Sequence, residues 1–257
     1  MPLTLVTGSA SGIGAATVAG LKAAGHTVIG VDLRQADITG DLSSAAGRQA
    51  IVAQALERCG GTLDGLVLCA GLGGQTQPAS LVSSVNYFGS VELLDGLLPA
   101  LQKGKNPSAV VISSVASTMM QWDKNPLAMA YEAGDEAQVS AIVMGAGEAG
   151  GNLAYAGSKN ALTVAVRKRA ASWGKAGVRL NTVAPGATET PLLQAGLQDP
   201  RFGESIKNFV APIARRAETS EMASVILFLL SQEASFVHGA QIYVDGGIDA
   251  VIRPTQF

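Results

Sequence analysis

The chain of 257 residues is poor in the side chains that build metal sites, disulfide frameworks and polyanion-binding surfaces. It has two cysteines, Cys59 and Cys69, and two histidines, His26 and His238, with none of the four at metal-ligand spacing from another. Neither zinc nor a disulfide is expected. Excess positive charge is missing too: the formal net charge is -2, and no Lys/Arg run supplies a local basic patch. That excludes nucleic acid as an expected partner. No apolar run approaches the roughly 18 residues that a membrane span needs. The start, "MPLTLVTGSASG", lacks the charged segment and long apolar stretch of a secretory leader. The expectation is a soluble, cytoplasmic protein.

Hydrophobic residues make up 47% of the chain, charged residues 15% and aromatics 5%, and 31 positions are glycine. This suits buried parallel strands joined by tight turns. Short runs rich in Val, Ile and Leu recur: "LTLVTG", "TVIGVD", "LDGLVLCAG", "AVVISSV", "VRLNTVAPG" and "QIYVDGG". Helical patterns fall between them, as in Ala15 to Ala24 and Ser44 to Glu57. Such alternation predicts an α/β fold, a Rossmann-like doubly wound parallel sheet, as one domain over 1–257. One segment breaks the rhythm. Residues 115–151 are too long for an ordinary connection, and after Pro126 they are rich enough in Ala, Glu and Met to form a helical insertion.

In "LTLVTGSASGIGAATVAGLKAAGHTVIGVDLR" a strand runs into Gly8, Gly12 and Gly14, then an alanine-rich helix, then a second strand ending at Asp32. Glycines let a backbone turn sharply against a pyrophosphate, and the free N–H groups at the helix start attract its charge. Gly8, Ser11, Gly12, Ile13 and Gly14 are therefore the candidate phosphate contacts. Asp32, eighteen residues beyond Gly14, stands where a carboxylate accepts hydrogen bonds from ribose hydroxyls and repels a 2′-phosphate. NAD is expected ahead of NADP, although Arg34 nearby could soften that repulsion. Asp41 and Leu42 in "GDLSS" are candidate adenine contacts, and Ala70 and Gly71 candidate ribose contacts.

"NLAYAGSKNALTVAVRKRA" sets Tyr155 and Lys159 four residues apart, hence on one face of a helix. A cation beside a phenol favours the phenolate, so Lys159 is expected to lower the pKa of Tyr155. Ser114, at the end of "AVVISS", could donate a hydrogen bond to a substrate oxygen. On an arbitrary helix the pair would be surface residues. Here Ala154, Ala156, Gly157, Ser158 and Ala161 leave room for a ligand's close approach.

On these motifs, Thr-Gly-x-x-x-Gly-x-Gly from Thr7 to Gly14 and Tyr-x-x-x-Lys from Tyr155 to Lys159, the chain resembles the short-chain dehydrogenase/reductase family over nearly its whole length. The resemblance implies an NAD(P)-dependent oxidoreductase with Tyr155 as general acid/base and Lys159 also binding the nicotinamide ribose. It implies that Ser114 orients the substrate and that Asn86, in "VNYFGSVELL", holds a relay water. Thr188 and Thr190, in "APGATETP", would lie near the nicotinamide carboxamide. Two departures stand out. Leu68, Cys69, Ala70 and Gly71 replace the family's Asn-Asn-Ala-Gly, and Ser114 and Tyr155 are 41 positions apart, far wider than is usual. The inserted residues would shape the substrate mouth and obstruct the usual helix contact between subunits, implying a homo-oligomer that is a dimer rather than a tetramer.

The segment 188–217 carries Leu192, Leu193, Leu197, Phe202 and Phe209 and reads as a substrate lid. With Met119, Met120 and Trp122 of the insertion these residues favour a hydrophobic alcohol or ketone. "LCAGLG", the insertion and the terminal "GGIDAVIRPTQF" resemble bacterial family members that oxidise the 3α-hydroxyl of steroids and reduce other carbonyl compounds. That resemblance implies a steroid substrate. The alternatives are 3-ketoacyl thioester reduction and a non-catalytic dinucleotide sensor.

Overall fold

A computed structural model describes residues 1–256. In chain order the elements begin with β1 (Leu3–Thr7), α1 (Gly12–Ala23), β2 (Thr27–Asp32), β3 (Ile38–Thr39), α2 (Ala45–Arg58) and β4 (Gly65–Leu68). The short α3 (Ser80–Ser83) passes through a π-turn, Ser84–Phe88, into α4 (Gly89–Leu101), and β5 (Ser108–Ile112) follows. Then come α5 (Ala128–Ala133), α6 (Glu136–Gly145) and α7 (Gly150–Lys175), leading to β6 (Arg179–Pro185). The last part holds α8 (Pro191–Gln198), α9 (Gly203–Asn208), α10 (Thr219–Leu230), β7 (Gln241–Val244) and α11 (Ile248–Ile252).

The strands form one sheet in the order β3-β2-β1-β4-β5-β6-β7, every neighbouring pair parallel. This is the doubly wound α/β fold expected from the alternation of runs. All six quoted runs contain strands, and β3, only two residues long, is an addition that no period-2 pattern could signal. Side chains alternate across the sheet, so each strand feeds two cores. Leu5, Leu66, Leu68, Ala109 and Val111 face one core, with Ile51, Leu93, Leu97 and Leu162 from the helices. Val6, Val67, Val110 and Ile112 face the other, with Leu21, Ile226 and Leu229. Burying each such Leu, Ile or Val contributes about 1.5–3 kcal/mol, which is why β4 and β5, inaccessible on both faces, read as unbroken apolar runs.

The insertion forms two short helices rather than one. Gly134, at φ 67°, ends α5 in the left-handed region that favours glycine, and the Asp135 carboxylate caps α6 by accepting from Gln138 N at 2.9 Å. Both helices lie against the body. Leu127, Tyr131, Val139 and Val143 are buried in the same core as α4 and α7. The Tyr131 hydroxyl donates to Ser83 Oγ at 2.8 Å. Arg48 of α2, only 1% exposed, reaches Glu136 of α6 through Nη2–Oε2 at 2.6 Å. The insertion is thus pinned against α3 and α7, and the helix carrying Tyr155 starts at Gly150, within the last residues assigned to the insertion.

Candidate active site

The sheet reverses its winding between β1 and β4, and the carboxyl ends of strands at such a reversal form a crevice. A cleft of about 310 Å³ lies there. Gly8, Ser11, Gly12, Ile13 and Gly14 line its floor. Gly8 and Gly12 have φ of 66° and 52°, and a Cβ on Gly14 would overlap the Gly8 carbonyl, so the turn closes only with glycine. Ser11 stands at the N-cap of α1 without a side-chain cap bond, and the first turn holds no carboxylate. The start of α1 therefore presents unscreened N–H dipoles, a fit for a pyrophosphate.

Beyond the glycine turn Asp32 closes β2 and lines the cleft. Its Oδ2 accepts from Ala10 N at 3.0 Å and its Oδ1 from Leu33 N at 2.7 Å, which fixes the carboxylate toward the cleft with lone pairs left for hydroxyl donors. Arg34 is exposed and does not line the cleft. Asp41 and Leu42 do line it, but the Asp41 carboxylate is engaged by Ser43 N and Oγ, each at 2.8 Å. Ala70 and Gly71 lie on the opposite wall. Thr7 Oγ1 accepts from Ala70 N at 3.2 Å and ties the ends of β1 and β4 together.

Ser114, Tyr155 and Lys159 meet at the inner end of the cleft. Ser114 is extended at the end of β5, and its hydroxyl accepts from Ala116 N at 3.1 Å while also interacting with the Tyr155 phenol. Lys159, 5% exposed, donates from Nζ to the carbonyl of Ile112 at 2.7 Å. Burial pulls its pKa down to about 8. The Tyr155 pKa departs from expectation: burial raises it, the Ser114 interaction opposes that in part, and Lys159 is not among its causes. The Lys159 ammonium is held by the strand-end carbonyl of Ile112, and both side chains face the same cleft. Cys69, also lining the cleft, stays a thiol, with burial pushing its pKa up to about 12.

Asn86 occupies the π-turn, fully buried, and does not line the cleft. Its side chain joins two segments: Oδ1 accepts from Leu72 N at 2.7 Å, and Nδ2 donates to the Leu72 carbonyl at 3.0 Å and to Ser158 Oγ at 3.5 Å. It holds the Gly71–Leu72 backbone in place, and Oδ1 keeps one acceptor position beyond its bond to Leu72 N. Thr188 and Thr190 both line the cleft; the Thr190 hydroxyl also caps α8, accepting from Leu193 N at 3.2 Å, and its methyl rests over Gly12. Thr190 thus sits at the glycine turn.

Of the expected lid residues, Leu192 and Leu193 line the cleft, and Leu197, Phe202 and Phe209 do not. Nor do Met119, Met120 and Trp122: Trp122 packs on the core and under Lys168 at 5.5 Å, and Met119 is exposed. The insertion does not form the wall of this cleft. Sequence reading passed over Gly40, Val85, Ile112, Ser113 and Gly186, which also line it. Ile112, Ser113 and Gly186 end or follow strands, a position that marks ligand contacts in this class; Val85 carries no such signal.

The fold and the cleft define a doubly wound α/β protein with a dinucleotide-type crevice. A family model described as "short chain dehydrogenase" matches residues 2–137, and one described as "Enoyl-(Acyl carrier protein) reductase" matches residues 132–249. The chain belongs to the short-chain dehydrogenase family. It is 67% identical over 257 residues, 100% of both chains, to a 3-alpha-hydroxysteroid dehydrogenase/carbonyl reductase of Comamonas testosteroni. A coniferyl-alcohol dehydrogenase of Pseudomonas sp. is 33% identical over 95% of each chain. Among solved structures, the 3-alpha-hydroxysteroid dehydrogenase from Pseudomonas sp. B-0831 complexed with NADH superposes with a TM-score of 0.96 at 52% identity, covering 99% of this chain and 100% of that one.

Proposed function

We propose that the protein is an NAD(H)-dependent oxidoreductase that interconverts a 3α-hydroxysteroid and its 3-ketosteroid and reduces other carbonyl compounds. The observation that carries this is the convergence of Ser114, Tyr155 and Lys159 at one end of a cleft whose other end is the glycine turn and Asp32, in a chain 67% identical throughout to an enzyme of that name. When bound, the nicotinamide supplies the hydride or accepts it. The residues supply the rest. Tyr155 holds a proton at its hydroxyl oxygen and passes it to the substrate oxygen during reduction, taking it back during oxidation. Ser114 donates a hydrogen bond to that oxygen and stabilises its developing charge. Lys159 donates to ribose hydroxyls, and Asn86 keeps the Gly71–Leu72 wall in register. Leu72, Leu192 and Leu193 offer apolar walls to a fused-ring substrate. Mixing the protein with NAD and androsterone and following the absorbance of reduced nicotinamide tests the reading. Turnover only on 3-ketoacyl thioesters, the alternative that the second family description would favour, overturns it, as does turnover on no alcohol at all.

Among the residues lining the cleft the only cation is Lys159, so nothing there offsets the charge of Asp32 against a 2′-phosphate. Asp32→Ala should shrink the ratio of kcat/KM for NAD over NADP roughly tenfold to a hundredfold, the equivalent of one or two charge-assisted hydrogen bonds. Steady-state kinetics with both cofactors measure it.

The assembly we propose is a homodimer, supported by α5 and α6 lying against α7, with α6 also on α3, where they cover part of the helix through which family tetramers commonly form. Sedimentation should give a dimer; a tetramer built through α7 would overturn this. Cys59 and Cys69 are free, which suits the reducing cytoplasm. No helix among the described residues is long and apolar enough to cross a membrane.

A further inference from the structure

Three segments distant in sequence meet on the outer rim of the cleft. They are the loop 73–75 beyond β4, the start of α7, and the turn joining α8 to α9. Gln75 Nε2 donates to the Leu192 carbonyl at 3.3 Å, and Arg201 Nη2 donates to the Gln75 carbonyl at 3.1 Å. Asp199 grips the same guanidinium through Nε–Oδ1 at 3.0 Å and Nη2–Oδ2 at 2.8 Å. The guanidinium lies 5.0 Å from the centre of the Phe202 ring. Phe202 in turn meets Gly151, where a Cβ would lie 3.4 Å from Cζ and would overlap the Gly74 carbonyl. A Cβ on Gly74 would lie 2.9 Å from the Gly151 carbonyl. Two glycines therefore let two backbones touch, one helical turn before Tyr155.

We propose that Gln75 and Arg201 are positioning residues that clasp the segment carrying Leu192 and Leu193 to loop 73–75 and the start of α7. The clasp sets how long NADH stays bound and how firmly the apolar wall meets the substrate. The inference rests on the reading of the cleft as the NAD and steroid site. Neither side chain lines the cleft, so both act through Leu192 and Leu193. The base of the segment is tied independently, by the Thr188–Ala217 bridge and by Ala211 seated on Gly246. What the clasp fastens is the outer part. Its polar contacts face solvent, where such pairs are weak, which suits a contact that opens and closes in each turnover.

The test uses the NADH complex of the full chain, with stopped-flow fluorescence for NADH release and steady-state and single-turnover kinetics on androsterone. Binding of NADH to the wild-type protein is measured first, because its failure would sink the reading of the cleft and not the clasp. Gln75→Ala and Arg201→Ala should each speed NADH release and raise KM roughly threefold to tenfold, the equivalent of one or two ordinary hydrogen bonds. The single-turnover hydride rate at saturation should stay within about twofold, because no group at the reacting atoms is touched. Arg201→Lys, which keeps the charge without the fork, should fall between Ala and wild type and guards against a folding defect. Unchanged release and KM in both alanine variants would overturn the proposal, as would a loss confined to the single-turnover rate.

Discussion

Tyr155→Phe lowers kcat for steroid oxidation and ketone reduction by roughly a thousandfold, the usual range for removing a general acid/base, while NADH binds as before. The phenol oxygen is the only heavy atom removed, and the cofactor contacts proposed at the glycine turn and Asp32 do not involve it. Fluorescence titration of NADH beside steady-state turnover checks both halves. The pH profile carries a further sign. Burial raises the Tyr155 pKa, so the neutral phenol that reduction needs persists through the neutral range. Ketone reduction in the wild type should be flat there and fall only at alkaline pH, whereas oxidation, which needs the phenol to accept a proton, should climb with pH. Near-normal turnover in Tyr155→Phe would remove this tyrosine from the mechanism.

Lys159→Met should cost turnover and cofactor affinity together and yet make the fold more stable at neutral pH. Lys159 is an ammonium buried to 5% exposure, with its pKa brought from 10.5 in the free side chain to about 8 by burial. The unfolded chain thus binds this proton more tightly than the folded one, so the folded state is penalised below about pH 8. The penalty fades as pH rises from about 8 through 10.5. A difference of that size is on the order of 3 kcal/mol, and losing the bond to the Ile112 carbonyl offsets about 1 kcal/mol of it. Methionine fills the same space without charge, so the variant should unfold about 2 kcal/mol later in urea at pH 7. That advantage should narrow toward pH 10. A variant less stable than wild type at pH 7 would mean that the buried ammonium stabilises the fold. Under the proposed function the penalty is the physical form of a trade between stability and function, a cation held out of water to serve as a donor in the cofactor site.

The inserted helices show how a segment recognised in the chain finds a different place in space. Their residues were expected at the substrate mouth. Instead Leu127, Tyr131, Val139 and Val143 fill the core beside α4 and α7, and Glu136 meets the buried Arg48. A run of alanines and methionines tells of a helix, but the face it covers depends on where its few large apolar residues find a matching hollow. That hollow is made by residues elsewhere in the chain.

Features governed by a few neighbouring residues were readable along the chain. The alternation of apolar runs led to the sheet, the glycine spacing to the turn at β1, and the four-residue step from Tyr155 to Lys159 to one helix face, because backbone geometry links each pattern directly to a shape. Partnerships between distant residues belonged to the folded molecule alone. The pairing of Asn86 with Leu72, the hold of the Ile112 carbonyl on Lys159, the capping duty of Thr190 and the contact of Arg201 with Gln75 each join positions that only packing brings together. Hydrogen bonds and ion pairs act over a few ångströms. Which donor meets which acceptor is therefore settled by how helices seat on the sheet, a result of burying the whole apolar surface at once.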